Sequence, residues 1–339
     1  MITRISNSLA NLVASYTDLH TTSYLSQTCR FFNRSVRDNL SKRLFSQLLH
    51  HVVNGEQEED KEDNIIGARK IIAFHPHFLL CRGTVKDRSG RTLIDFTPFE
   101  LAYAGDDVEM CQMMLPYLDQ LPQGREQVLA RINIKFPEVE EEVYDFNPII
   151  AAITSDDHEK QELAFAKFRK DVTKKVIKTG KIFNFALIVD AFEILETYKD
   201  VWRFHQIMLF LEYVIGYLQR LMSISYMHIH CQGLHKFVID KNALERILYI
   251  PGCCQRGEII KRYPFDLERD RGLGFGVFLG DPFPPPGGWS PLGGGVDEGL
   301  CGLVNKLYEM REEGMNEIKR QLKKLRQLKK PKIKCCVML

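Results

Sequence analysis

From residue 156 to about residue 249, apolar side chains recur at helical spacing with little interruption, and no other feature restricts the fold so strongly. Phe165, Phe168 and Val172 make one stripe; Phe185, Ile188, Val189, Phe192, Ile194 and Leu195 make another. Residues 201–222 read as one long buried helix through Ile207, Phe210, Leu211, Val214, Ile215, Leu218 and Leu221. Positions three and four apart share a helix face that must be covered, so the stretch predicts packed helices and a mainly α chain. The most apolar window, 207–218, is too short to cross a bilayer and contains Glu212, so no transmembrane segment is expected.

Residues 272–302 cannot continue that pattern. Pro282, Pro284, Pro285 and Pro286, with clustered glycines around Trp289, predict a flexible linker. Trp289 and its prolines either serve a proline-reading domain or pack back on the body. Gly272, Gly274 and Gly276 have no bracketing strand and helix, which excludes a dinucleotide loop. Beyond the linker, Leu303, Leu307, Met310, Ile318, Leu322 and Leu325 outline an amphipathic helix, interrupted by Gly314. Its first half is acidic and its second half basic. The basic half is expected to lie on a membrane with its leucines inserted, a coiled-coil stalk being the alternative.

The sequence closes on Cys336-Val337-Met338-Leu339, the pattern of a C-a-a-X box, in which a final leucine directs a geranylgeranyl group to the cysteine. One lipid chain binds membranes only marginally, and a second signal stands beside it. Cys335 is a candidate palmitoylation site, and Lys323, Lys324, Arg326, Lys329, Lys330, Lys332 and Lys334 face an anionic leaflet in this reading, each contributing about 1 kcal/mol. Nine Lys and Arg lie between Lys319 and Lys334 in a chain of net charge +2, which leaves the rest at −7. Basicity confined to one end suits a membrane surface and not a nucleic acid. Nine cysteines without framework spacing, and no apolar leader after Met1, predict reduced thiols in cytosol. A protein prenyltransferase is the implied partner. The expected location is eukaryotic cytosol, on the cytosolic face of a membrane.

At the N-terminus, Leu9, Leu12, Val13 and Tyr16, then Tyr24, Leu25, Thr28, Cys29 and Phe32, mark two short amphipathic helices joined at Asp18 and Thr21–Thr22. Ser15-Tyr16-Thr17-Asp18 followed by Leu25-Ser26-Gln27-Thr28-Cys29-Arg30-Phe31-Phe32-Asn33 resembles an F-box. The resemblance implies docking onto the Skp adaptor of a cullin–RING ubiquitin ligase, with Ile5, Leu9, Val13, Tyr16 and Leu25 at the interface. The family's opening Leu-Pro is Ile5-Ser6 here, and its Asp-Leu-Leu is Thr21-Thr22-Ser23.

An acidic loop, 55–63, separates this module from the next. Asp87-Arg88-Ser89-Gly90 between Thr84-Val85 and Thr92-Leu93-Ile94 predicts a β-hairpin. Thr97-Pro98 then opens a helix, Gly105 ends it, and 108–115 supplies a second. This unit resembles an ankyrin repeat. Residues 65–80 and 145–153 are candidates for degenerate neighbouring units, so either a short array or a lone ankyrin-like hairpin satisfies the pattern; both are scaffolds for protein contact.

Only one stretch has metal-like density: His228, His230, Cys231 and His235, with Cys253-Cys254 further on. Their spacing fits no zinc module, and the reading is of core or surface histidines with no metal and no cofactor. No nucleophile motif is present, so no catalytic residue is assigned.

The expected organisation is an F-box-like module (1–54), an ankyrin-like segment with its small β-hairpin (62–155), a helical domain (156–271), the Pro/Gly linker (272–302) and the basic tail helix with its C-a-a-X box (303–339). The combination resembles effectors that intracellular bacterial pathogens deliver into host cells, and the Glu-rich stretch 309–317 is similar to Dot/Icm type IV secretion signals. It implies a non-catalytic adaptor that brings a Skp–cullin ligase to a host protein at a membrane. The alternatives are an enzyme of unrecognised type within 130–300, or a ubiquitin-independent scaffold. A cleft with convergent carboxylates or histidines would favour an enzyme, and an apolar, uncharged concave face the adaptor.

Overall fold

The computed structural model describes residues 30–55, 64–137, 143–232, 234–241, 244, 250–253, 259–262 and 300–324. Helices dominate it, as the apolar periodicity predicts. A first set comprises α1 (Arg30–Asn54), α2 (Asn64–Phe74), a 3-10 turn (Pro76–Leu80), the hairpin β1 (Gly83–Lys86) and β2 (Thr92–Phe96), α3 (Pro98–Ala104), α4 (Val108–Leu118) and α5 (Gly124–Lys135). A second set comprises α6 (Asn147–Ser155), α7 (His158–Val172), β3 (Val176–Ile177), α8 (Ala186–Tyr198), α9 (Phe204–Phe210), α10 (Gly216–Leu221), α11 (Ile224–Gln232) and α12 (Leu234–Val238). β4 (Ile250–Cys253) pairs antiparallel with β5 (Ile259–Arg262), and α13 (Leu300–Lys324) is the last element described.

The hairpin turns at Asp87–Gly90 as expected, and β3, too short for any sequence signal, joins it parallel to β2. Arg91, at the end of that turn, is almost fully buried. It donates to Asp87 (Nε–Oδ2 2.7 Å) and to the carbonyls of Ile182 (2.8 Å) and Leu221 (2.6 Å). One guanidinium thus fastens the hairpin to the second set of helices, and its donors are spent on buried acceptors that would otherwise be costly.

Two helical hairpins share a design. Thr97 and Glu100 form a reciprocal capping box at α3, with Pro98 in the first turn. Asp106 then turns the chain in the left-handed region (φ 51°), and Asp107 caps α4 by accepting from Met110 N at 3.0 Å. In α6–α7 the same spacing recurs: Asn147-Pro148, then Asp156 left-handed (φ 57°), then Asp157 accepting from Glu159 N at 3.1 Å. Residues 145–153 therefore open a real helical pair. Its turn repeats the Asp-Asp pair of the one before it, the first left-handed and the second capping the next helix.

Two apolar cores form. The first gathers Leu48, Leu49, Ile72, Leu93, Phe96, Phe99 and Met114; the second gathers Phe168, Phe192, Phe210, Val214 and Tyr226. The helix expected over 201–222 starts at Phe204: Val201 is exposed, and Trp202 folds inward against Tyr198 and Phe210. A π turn, Leu211–Ile215, carries α9 into α10.

α13 lies along both cores. Leu303, Val304 and Leu307 belong to the second; Met315, Ile318 and Leu322 belong to the first. Leu322, expected among the leucines inserted in a membrane, is instead covered by protein, as is Ile318, while Leu325 lies outside the described residues. Gly314 does not interrupt the helix. It lets α4 come close, since a Cβ there would stand 2.7 Å from a Val108 methyl. Between the two halves, Arg311 is buried, grips the Glu109 carboxylate (2.8 and 3.0 Å) and lies over the Phe237 ring.

Candidate functional site

The expected Skp-binding residues Ile5, Leu9, Val13, Tyr16 and Leu25 lie outside the described residues, as do Arg326, Lys329, Lys330, Lys332, Lys334, Cys335 and Cys336. α1 begins at Arg30, inside the F-box-like string, and runs on to Asn54. Its far end is core: Leu48, Leu49, Val52 and Val53 pack in the first cluster. The boundary expected at 54 therefore falls at the end of a helix that belongs to the body. Lys323 and Lys324 sit exposed in the last turn of α13.

His228 and His230 are both buried on α11, each 1% exposed, and the His228 ring lies close to Gly55 at the end of α1. Burial lowers the His230 pKa to about 3, which holds the ring neutral. Among the described residues no three His, Cys, Asp or Glu side chains gather as a metal ligand set. The side chains of Cys231 and His235 lie outside what is described.

Among the described residues an open groove lies between the start of α6 and the face of α8, with a volume of about 520 Å³. Tyr144, Asp145 and Ile150 line it from the α6 side, and Asp190, Glu193 and Ile194 from α8, so each side mixes apolar and acidic groups. Tyr144 is held there by edge contacts with Phe146 (4.9 Å) and Phe168 (5.3 Å), and Asp145 accepts from Asn147 N at 3.0 Å. Partial burial, then the neighbouring Glu193 charge, holds the Asp190 carboxyl above its ordinary range. A cation entering the groove would relieve that repulsion. Val143, 84% exposed, stands at the lip.

The groove is not the apolar, uncharged face expected of an adaptor. Its three carboxylates are the feature expected of the enzyme alternative, though no histidine joins them, and it is open to water. Ile194, read from the sequence as core, is half-buried against the second core and also lines the groove. The signal was present in α8, where Asp190 and Glu193 fall three apart on one side of the helix. A second recess, of about 10 Å³ between Gly105, Asp87, Met222 and Ser223, is enclosed and holds no more than one water. Beside it, the hydroxyls of Ser223 and Ser225 both donate to the Gly105 carbonyl (2.6 and 2.7 Å), so its polar wall is satisfied by the protein itself.

No family model, curated protein or solved structure matches the chain.

Proposed function

We propose that this chain is a membrane-anchored, F-box-like adaptor, in which residues 5–33 recruit a Skp–cullin ubiquitin ligase, the helical body captures a host protein and the lipidated tail holds the assembly on a membrane. The observation that carries the reading is the string Leu25-Ser26-Gln27-Thr28-Cys29-Arg30-Phe31-Phe32-Asn33. One structural fact supports it. α1 runs from Arg30, inside that string, to a buried end, which ties residues 30–33 to the body through one helix. Ubiquitin transfer belongs to the recruited ligase.

The test is affinity purification from human cells of a Cys336→Ser chain, kept soluble, beside the same chain carrying Leu9→Ala and Leu25→Ala. Skp and cullin are expected with the first and absent from the second. Their absence from both overturns the adaptor reading.

A further inference from the structure

Asp95 is the extra residue of a bulge in β2: Gly83 pairs with Phe96 and Thr84 with Ile94, and Asp95 takes a left-handed conformation (φ 63°). Three cations converge on it. Arg82 approaches its carboxylate at 3.3 Å, Arg131 donates to its carbonyl at 3.3 Å, and Lys135 donates to the same carbonyl. Arg131 also pairs with the fully buried Glu100, so two carboxylates answer three cations.

The positive character continues along the surface. Gly180 N donates to the Lys135 carbonyl (2.8 Å), and Thr92 N to that of Lys175 (2.9 Å), which sets the β3 loop against the end of α5 and the edge of β2. That loop carries Lys174, Lys175 and Lys178, all exposed and without an ion pair among the described residues. Lys181 follows, paired with Asp106 and standing 4.9 Å over the Tyr103 ring. The Tyr103 hydroxyl also feels the charge of Lys319, which brings the basic half of α13 to the same side. Two large apolar side chains are left in solvent on this face, Ile134 (77% exposed) and Val176 (51%).

Exposed lysines flanking an edge strand commonly serve only to prevent edge-to-edge pairing. Here the strand is two residues long. The cations extend past it onto α5 and α13, and the same helix leads into the polybasic tail. We propose that this face, formed by the end of α5, the β3 loop and the Asp95 bulge, lies against an anionic lipid bilayer and fixes the orientation of the body on it. The inference rests on the reading that the tail brings the chain to a membrane. It adds a second contact that makes the attachment bivalent, so that weak headgroup binding gains from the tail's high local concentration.

The experiment uses the full chain made in bacteria, hence without lipid, and its partition onto vesicles of phosphatidylcholine with and without phosphatidylserine. A Lys174→Glu/Lys175→Glu/Lys178→Glu chain and a chain with Lys329, Lys330, Lys332 and Lys334 replaced by Ala are compared with the wild type. The acidic run 138–142, next in sequence to α5 and outside the described residues, stays intact in all three. Each lost cation forfeits roughly a factor of five near an anionic leaflet. With screening, the loop variant is expected to bind phosphatidylserine vesicles about tenfold or more weakly, at an unchanged melting temperature. Equal binding by wild type and loop variant overturns the proposal, and does so even if the tail variant alone loses binding, which leaves the tail reading intact. A loop variant that also melts lower is replaced by Ile134→Ser, for which unchanged binding overturns the proposal in the same way.

Discussion

His230 shows how one buried side chain sets a pH limit on the whole fold. Its imidazole is fully enclosed and neutral, with a folded pKa of about 3 against 6.5 when unfolded. Because the folded value is depressed, the unfolded chain binds the extra proton first. The neutral ring's contribution is complete above pH 6.5 and is lost as pH falls from there toward 3. Each pH unit in that window is worth about 1.4 kcal/mol, so the fold is expected to lose about 2 kcal/mol between pH 6.5 and 5 through this residue. His230→Met, close in volume, is expected to flatten that slope. Urea unfolding at both pH values measures it, and parallel losses in the two chains would show that His230 does not set the limit. None of this could be read from the sequence, where His228, His230, Cys231 and His235 look like one cluster. Burial is a property of the neighbours of α11, and those neighbours are far away in the chain.

At the scale of elements, the legible parts were those specified by adjacent residues. The β-hairpin at Asp87–Gly90, the Thr97-Pro98 helix start and the amphipathic stripe of α13 all rest on local turn chemistry or periodicity, and all are present. Gly314 was misread for the opposite reason. Its role depends on Val108, two hundred residues away in sequence and in contact in space. Gly314→Ala sets two effects against each other: a helix-propensity gain of about 1 kcal/mol and an overpacking cost of about 1–3 kcal/mol. Overpacking is expected to win, because the nearest atom is a branched methyl with little freedom to move aside. A double-mutant cycle with Val108→Ala should then show favourable coupling of about 1 kcal/mol or more by chemical denaturation, and additive effects would mean the close approach carries no strain. The groove was invisible at this scale as well: Ile194 has the periodicity of a core residue, and only the position of α6 uncovers it.

For the molecule as a whole, α13 is the element both cores share. Six of its apolar side chains are buried, three in each cluster. At about 1.5–3 kcal/mol for each, their burial is of order 10 kcal/mol, comparable with the entire stability of an ordinary domain. A chain ending at residue 299 is accordingly expected to lose cooperative unfolding and to bind a dye for exposed apolar surface, whereas Lys323→Ala/Lys324→Ala should change stability by less than about 0.5 kcal/mol. A truncated chain with an unchanged, cooperative melt would show that the helix is dispensable. The C-a-a-X string and most of the F-box-like one, up to residue 29, lie beyond the described residues, so the architecture described is essentially the part between the two proposed attachments.

The position of α13 also sets an order of events in time. In a chain made from its N-terminus, the helices that α13 covers are all synthesised before it. Leu303, Val304 and Leu307 close over α8 and α12 first, and Met315, Ile318 and Leu322 close over α4 and α5 after them. The two cores are therefore completed in the reverse of their order along the chain, the later set of helices before the earlier.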